Sequence, residues 1–263
     1  MLLKNKIVVV SGIGPGLGVK LAVEAAREGA AGVVVAARSM EKLQDAEQRI
    51  REVNPDCVVI KQITDIRDRA DCDRLATSAV ARFGRIDALI NSAFEHGAMD
   101  HASTADLDSW QGPLQTNLLG TLRLTQAVLP TMKAHGAGAI VMINTMAVRQ
   151  VPPLGEAGYA ASKAALATSV KFLAQELGPQ GIRVNTVHMG WMWGAPVQGY
   201  LAWQASESGV SVESLQAQIA SGIPLRRIPT DDECARAALF LVSDYASAVT
   251  GASLDVNGGA YMP

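Results

Sequence analysis

The feature that most constrains the fold of this chain is a regular alternation between short apolar runs and longer helical patterns. The apolar runs are rich in valine and isoleucine, as is expected of parallel strands that are covered on both faces. They read KIVVVSG, GVVVAAR, CVVIKQI, DALIN, GAIVMIN and IRVNTVH, with a last strand at ASLDVN. The helical patterns between them span residues 17–28, 40–53, 68–83, 114–134, 157–177 and 231–243.

Strands that alternate with helices predict right-handed crossovers, and hence an α/β Rossmann fold whose doubly wound parallel sheet carries helices on both faces. The chain has 263 residues, 49% of them hydrophobic, and shows no linker or repeat, so residues 1–263 are predicted to form a single domain. Residues of about 190–223 interrupt the rhythm and are rich in tryptophan. We interpret them as an apolar substrate lid, with a packing subdomain as the alternative.

The segment VVVSGIGPGLG places a cluster of glycines between the first strand and the helix that begins near Leu17. Glycines at this point permit a tight turn and let backbone N–H groups approach a pyrophosphate at the helix N-terminus. The strand and helix on either side make the pattern more specific than the glycines alone. The sequence therefore predicts a dinucleotide site that includes Gly12, Gly14, Gly16, Leu17 and Gly18.

The end of the second strand bears on which dinucleotide binds. Ala37 stands where an acidic residue would hold the ribose hydroxyl of NAD, and Arg38 follows it. A guanidinium can pair with a 2′-phosphate, so NADP(H) is the preferred cofactor; if Arg38 is merely solvated, NAD(H) remains an alternative. Asp65 is expected near the adenine amino group and Asn91 beside the cofactor path. The predicted cofactor set also includes Ile66, Ala93 and Gly190.

Several motifs in order make the chain resemble the short-chain dehydrogenases/reductases over essentially its whole length. They are SGIGPGLG for the family's TGxxxGxG, NSAF for NNAG, QTNLLG, YAASK for YxxxK, RVNTVHMG for RVNxVxPG, and TGASLDVNGG. The resemblance implies a catalytic set of Tyr159, Lys163, Asn117 and Thr145, in which Asn117 holds a water. Thr145 is aligned with the usual serine although one extra residue separates it from Tyr159.

The spacing of Tyr159 and Lys163 supports a catalytic pair. Residues four apart share one helix face, so the Lys163 ammonium is expected near the Tyr159 oxygen and to lower the pKa of this tyrosine from about 10. In the implied reaction Tyr159 protonates a carbonyl oxygen that receives a hydride, and Thr145 donates a hydrogen bond to that oxygen. On the alternative interpretation Tyr159 covers an apolar helix face and Lys163 is solvated.

Departures from the family pattern and the aromatic insert bear on the substrate. Phe94 and Met189 replace a glycine and a proline, and Gly194 falls where a threonine often contacts the nicotinamide amide. The predicted substrate contacts are Phe94, Trp191, Trp193 and Trp203, with Met192 and Tyr200 nearby. They favour a secondary alcohol or ketone that is bulky, apolar and cyclic, steroid- or terpenoid-like. Alternatives are a 3-oxoacyl-thioester reductase, another reaction on the same scaffold such as enoyl reduction, and a non-catalytic NADP(H) sensor.

Charge and composition narrow the range of partners. A net charge of −2 gives no basic surface for nucleic acid or for an anionic membrane, so a small molecule is the expected partner. Three cysteines without ligand spacing favour reduced thiols and a cytoplasmic location, and no apolar run is long enough to span a bilayer. The four histidines share no spacing that predicts a metal site. The resemblance also implies a homotetramer, with the tail GASLDVNGGAYMP at an interface.

Overall fold

A seven-stranded parallel sheet organises the molecule, with strand order β3-β2-β1-β4-β5-β6-β7. The computed structural model describes residues 1–152 and 155–263. The β-branched runs form the sheet because they can be buried on both faces; in β1, β2 and β4 every residue is buried. The strands are β1 Ile7–Ser11, β2 Gly32–Ala37, β3 Val58–Ile63, β4 Ala88–Asn91, β5 Gly138–Thr145, β6 Ile182–Met189 and β7 Ser253–Val256.

Helices cover both faces of this sheet, so the predicted fold class is confirmed. The apolar side chains of α1, α2 and α9 pack on one face, and those of α3, α5 and α6 pack on the other. Their bounds are α1 Leu17–Arg27, α2 Met40–Val53, α3 Arg69–Phe83, α4 Gln111–Pro113, α5 Thr121–His135, α6 Ala157–Leu177, α7 Ala195–Ser208, α8 Val212–Ser221 and α9 Asp231–Val242.

Local signals account for where several helices begin and end. The Asp68 side chain accepts a hydrogen bond from Ala70 N (2.7 Å), which caps α3. Gly84 and Gly136 have φ of +74° and +64° and end α3 and α5 in the left-handed conformation. The Thr230 and Glu233 side chains form a reciprocal capping box at α9.

Two parts of the helical prediction need correction. The helix predicted at 114–134 is continuous from α4 to α5, but its first part, Leu114–Gly120, is a π-helix, which the sequence pattern did not indicate. The segment after β6, for which no helix was predicted, contains α7 and α8. Both helices are mostly exposed, with Leu201 and Leu215 as their buried residues, so their apolar periodicity is weak.

The strand order reverses between β1 and β4, which lie side by side with Ser11 opposite Asn91. The connections that follow β1 and β4 lead away in opposite directions and leave a crevice at the carboxyl edge of the sheet. The glycine loop after β1, the turn after β2 and the ends of β4, β5 and β6 all meet at this edge. The fold therefore concentrates the predicted site residues in one place.

Candidate active site

The glycine loop after β1 has a conformation that side chains would disrupt. Gly12 has a φ of +85°, and a Cβ on it would collide with the backbone of Ala93 after β4. A Cβ on Gly18 would collide with the Gly12 carbonyl, whereas one on Gly14 meets nothing within 4 Å. The loop thus packs tightly on its protein side and stays open towards the crevice, at the N-terminus of α1. A dinucleotide pyrophosphate fits this cradle.

A cleft of about 610 Å³ runs along the carboxyl edge of the sheet. The glycine loop and the turn after β2 line one part of it, and the ends of β5 and β6 with the start of α6 line another. The residues predicted from the sequence that line this cleft are Gly12, Gly14, Gly16, Leu17, Gly18, Arg38, Asp65, Ile66, Ala93, Phe94, Thr145, Tyr159, Lys163 and Gly190.

Asn91 and Asn117 lie outside the lining of the cleft because both are buried beneath it. The Asn91 amide donates to Thr125 Oγ1 (3.2 Å). Both amide protons of Asn117 are used, by Glu95 O (2.8 Å) and Ser162 Oγ (2.9 Å), and its Oδ1 accepts from Glu95 N (2.8 Å). The Asn117 side chain therefore fastens the loop after β4 to α6, and its role in holding a water stays a prediction.

The adenosine end of the cleft is strongly cationic. Arg38 lines it as an exposed side chain directly after buried Ala37. Lys42 and Arg67, which the sequence analysis did not select, line the same end. The Asp65 carboxylate is engaged by Arg67 (2.7 Å), and this hydrogen bond is the largest cause of the lowered pKa of Asp65. Asp65 is thus paired with Arg67, and its contact with the adenine amino group stays a prediction.

At the other end of the cleft, α6 brings Tyr159 and Lys163 towards the end of β5. Lys163 is 2% exposed, and its Nζ donates to Ile143 O (2.8 Å) and lies 5.9 Å from the centre of the Tyr159 ring. Thr145, the last residue of β5, forms a side-chain hydrogen bond with Tyr159. A hydroxyl, a phenol and a buried amine thus converge on one small region of the cleft.

The pKa values of Tyr159 and Lys163 differ from those expected from the sequence. Burial lowers the pKa of Lys163 to about 7. The pKa of Tyr159 is raised, first by burial and then by the Glu156 carboxylate, while the Thr145 hydrogen bond acts in the opposite direction. The expected lowering of the Tyr159 pKa by the Lys163 ammonium is therefore wrong, because burial favours the neutral form of both the lysine and the phenol.

Three further side chains surround the phenol, and the sequence analysis selected none of them for this role. The His96 ring stacks on Tyr159, with ring centres 4.7 Å apart and planes 13° apart, and His96 Nε2 lies 2.8 Å from Glu156 Oε2. The Phe94 ring meets the Tyr159 ring edge to face, with ring centres 6.3 Å apart. Glu156 lies three residues before Tyr159, one helical turn away, which is the signal that could have identified it.

The three tryptophans predicted to contact substrate do not line the cleft. Trp191 stacks on Tyr200 at 6.1 Å, and Tyr200 lies 6.0 Å from Trp203, which is 58% exposed. Trp193 donates its backbone N–H to Pro229 O (2.7 Å). The rings of Trp191, Tyr200 and Trp203 thus pack on one another, outside the lining of the cleft. Smaller apolar side chains of this segment line it in their place: Met192, Pro196 and Val197.

Among the residues that the structure describes, no group of three or more histidine, cysteine or acidic side chains could hold a metal ion. Within the same residues, no helix has the length and apolarity required to cross a membrane. Cys57, Cys72 and Cys234 are each buried as free thiols.

Comparison with known proteins identifies the family. Residues 12–261 match the family model described as enoyl-(acyl carrier protein) reductase. Levodione reductase from Leifsonia aquatica is 30% identical over 256 residues, covering 97% of this chain and 94% of that protein. A 3-oxoacyl-(acyl-carrier-protein) reductase from Staphylococcus aureus is 30% identical over 260 residues, covering 98% and 99%.

Solved structures agree with the sequence comparison. L-sorbose reductase from Gluconobacter frateurii, complexed with NADPH and L-sorbose, superimposes with a TM-score of 0.91 at 27% identity, covering 98% of this chain and 97% of that one. NAD⁺-bound xylitol dehydrogenase superimposes with a TM-score of 0.88 at 27% identity, covering 98% and 99%. The chain belongs to the short-chain dehydrogenase/reductase family and is an NAD(P)-dependent oxidoreductase.

Proposed function

We propose that this protein prefers NADP(H) and interconverts a secondary alcohol and a ketone. The observation that carries the proposal is the convergence of Tyr159, Thr145 and buried Lys163 in the same cleft as the glycine cradle. When bound, the nicotinamide supplies the hydride for reduction or accepts it in oxidation.

The side chains of this chain handle the proton. In reduction, Tyr159 carries the proton on Oη, consistent with a pKa that burial raises, and delivers it to the carbonyl oxygen. Thr145 donates a hydrogen bond to that oxygen, which stabilises the charge that develops there. Lys163, whose pKa is about 7, is suited to exchange a proton near neutral pH. Asn117 serves as a positioning residue that fastens the loop after β4 to α6.

The cationic adenosine end supports the preference for NADP(H). Arg38, Lys42 and Arg67 line it, and Ala37 supplies no carboxylate to repel a 2′-phosphate. Arg67 is paired with Asp65, whereas neither Arg38 nor Lys42 forms a salt bridge within the part of the chain that the structure describes. The related proteins themselves include one solved with NAD⁺ and one with NADPH, so the preference rests on these side chains.

An apolar, bulky substrate, such as a cyclic ketone, fits the mouth of the cleft. Phe94 is 59% exposed beside Tyr159, and Met192 and Val197 from the segment after β6 line the same cleft. Apolar walls of this kind favour apolar ligands with few polar groups. In this proposal α7 and α8, within residues 190–223, act as a substrate lid.

The experiment is a fluorescence titration with NADPH and NADH, followed by absorbance turnover on a panel of cyclic ketones, secondary alcohols and one 3-oxoacyl thioester. The proposal predicts tighter binding of NADPH and turnover of cyclic ketones. Tighter binding of NADH would refute the cofactor preference. Binding of NADPH with no turnover on the panel would refute the carbonyl reaction and favour a non-catalytic sensor.

A second candidate is reduction of a 3-oxoacyl thioester. It is favoured by the 3-oxoacyl-(acyl-carrier-protein) reductase relative, whose match covers almost all of both chains. The catalytic groups would act in the same way on either carbonyl, so the turnover panel distinguishes the two substrate classes. Turnover of the thioester alone would identify a 3-oxoacyl thioester, instead of a cyclic ketone, as the substrate class.

We also propose that the protein is a cytoplasmic homotetramer. Phe172 on α6 is 65% exposed, Phe240 on α9 39% and Tyr245 78%, and apolar side chains exposed in this way are common at interfaces between subunits. Three unpaired, buried thiols fit a reducing compartment. Light scattering on the purified protein measures the subunit count, and a monomer would contradict the assembly.

A further inference from the structure

Asp231 is a buried carboxylate in the cofactor cleft that the family resemblance does not account for. It is the first residue of α9, it is 3% exposed, and it lines the cleft. Among the residues that the structure describes, its Oδ2 finds no hydrogen-bond partner. A buried carboxyl oxygen without a partner is costly, so it is expected either to carry a proton or to meet a ligand.

The surroundings of Asp231 indicate which part of a ligand it would meet. A Cβ on Gly194 would collide with the Asp231 carboxyl, and a Cβ on Gly16 would lie 3.5 Å from Asp231 Oδ2. The carboxyl therefore fills the space that a side chain at position 194 would occupy, and it stands beside the N-terminus of α1. This helix N-terminus and its glycine loop form the cradle for the pyrophosphate.

A negative carboxylate beside a pyrophosphate would repel it, whereas a neutral carboxylic acid would donate a hydrogen bond to it. Burial is the largest influence on Asp231 and raises the pKa of its carboxyl. Of the charged groups that face it, Lys20 from α1 opposes this rise and Asp232 on α9 adds to it, while Lys20 and Asp232 pair with each other at 3.1 Å. Cys234 on α9 is also close enough to be affected by Asp231. Gly194, just before α7, approaches the Asp231 carboxyl and carries no charge.

We propose that Asp231 binds the pyrophosphate of the dinucleotide as a neutral carboxylic acid, so that cofactor binding takes up a proton. The proton stays on the carboxyl and is shared in a hydrogen bond to a phosphoryl oxygen. No covalent bond changes. The proposal rests on dinucleotide binding by this family and is independent of the proposed ketone substrate.

The test is NADPH binding without substrate, followed by fluorescence from about pH 5 to about pH 9, for the wild type, Asp231→Asn and the control Asp232→Asn. Wild-type Kd should rise with pH, by up to about tenfold per unit above the pKa of free Asp231. Asp231→Asn keeps a donor and cannot ionise, so it should bind more tightly than the wild type at high pH. Because the 2′-phosphate titrates near about pH 6, the difference between the profiles is the measured quantity.

Calorimetry in two buffers of different ionisation enthalpy provides a second readout. Proton uptake on NADPH binding should occur in the wild type and in Asp232→Asn, and should be absent in Asp231→Asn. Asp231→Ala should also lose the uptake, and should bind more weakly than Asp231→Asn because it has no donor. If Asp231→Asn does not fold, the alanine variant carries the same comparison of proton uptake.

Two results would overturn the proposal. Equal pH profiles and equal proton uptake in the wild type and Asp231→Asn would show that Asp231 takes up no proton when the cofactor binds. Wild-type binding that tightens as pH rises, and that weakens in Asp231→Asn, would show an ionised acceptor instead of a neutral donor. Binding of NADPH without ketone turnover would contradict the proposed function and leave the Asp231 comparison intact.

Discussion

Replacing Lys163 with methionine should remove a specific pH-dependent part of the stability of this protein. Lys163 is 2% exposed, and burial lowers its pKa from 10.5 to about 7. In the unfolded chain the lysine keeps its proton up to about pH 10.4. Between these two values the unfolded state binds more protons than the native state. The free energy of unfolding therefore rises with pH across this window and shows no contribution to the slope below pH 7.

The magnitude follows from the shift. One unit of pKa corresponds to about 1.4 kcal/mol, so a group that titrates at about 7 in the native state should contribute about 2 kcal/mol between pH 7 and pH 9. The buried thiols change the free energy of unfolding in the opposite direction. Burial raises the pKa of Cys57 and Cys72 to about 11, so this free energy falls as pH rises above the usual pKa of a thiol. Measurements are therefore confined to pH values below about 9.

The assay is urea unfolding of the cofactor-free protein at several pH values, for the wild type, Lys163→Met and Lys171→Met. Lys171 is an exposed lysine on the same helix and serves as the matched control. The difference between wild type and Lys163→Met should change by about 2 kcal/mol from pH 7 to pH 9. Loss of the hydrogen bond to Ile143 O shifts the whole curve without changing its slope. Equal slopes for the wild type and Lys163→Met would refute the assignment of a neutral buried lysine.

Three further substitutions test other parts of the site. Arg38→Ala should weaken NADPH binding by about tenfold and leave NADH binding nearly unchanged, measured by fluorescence titration; equal losses for both cofactors would contradict 2′-phosphate pairing. Gly12→Ala should lower the free energy of unfolding by about 1–3 kcal/mol, because Gly12 has a φ of +85°. Gly14→Ala is the control and should fold normally, because a Cβ at Gly14 meets open space. Similar urea midpoints for the two variants would be inconsistent with a strained conformation at Gly12. Glu156→Gln removes the carboxylate that raises the pKa of Tyr159, so the Tyr159 limb of the pH–rate profile should move to lower pH; an unmoved limb would exclude this coupling.

The fold could be predicted because its signals are local and repeated. The central strands β1 and β2 are valine-rich runs in which every residue is buried, and helices such as α9 begin with a clear capping signal. The positions of Gly12 and Gly18 could be inferred for the same reason, since a tight strand-to-helix turn requires glycine. Helices α7 and α8 could not, because they bury few residues and their apolar pattern is correspondingly weak.

The parts of the site that were missed depend on distant contacts. His96 reaches Tyr159 only because the loop after β4 folds over the start of α6, and nothing in the spacing of the histidines indicates this. Asp231 begins the predicted helix 231–243, and its approach to Gly194 becomes visible only in three dimensions. Trp191 and Trp203 were predicted to contact the substrate because the segment is rich in aromatic residues, but they pack against Tyr200 instead.

The measurement that tests the central claim most directly compares Tyr159→Phe with Tyr200→Phe, a tyrosine outside the cleft lining. Turnover of the best ketone of the panel and NADPH binding are measured for both variants. The account predicts that Tyr159→Phe loses turnover by about 10²- to 10⁴-fold while its Kd for NADPH stays close to that of the wild type, and that Tyr200→Phe keeps both. Unchanged turnover in Tyr159→Phe would contradict the role of this phenol as the proton donor.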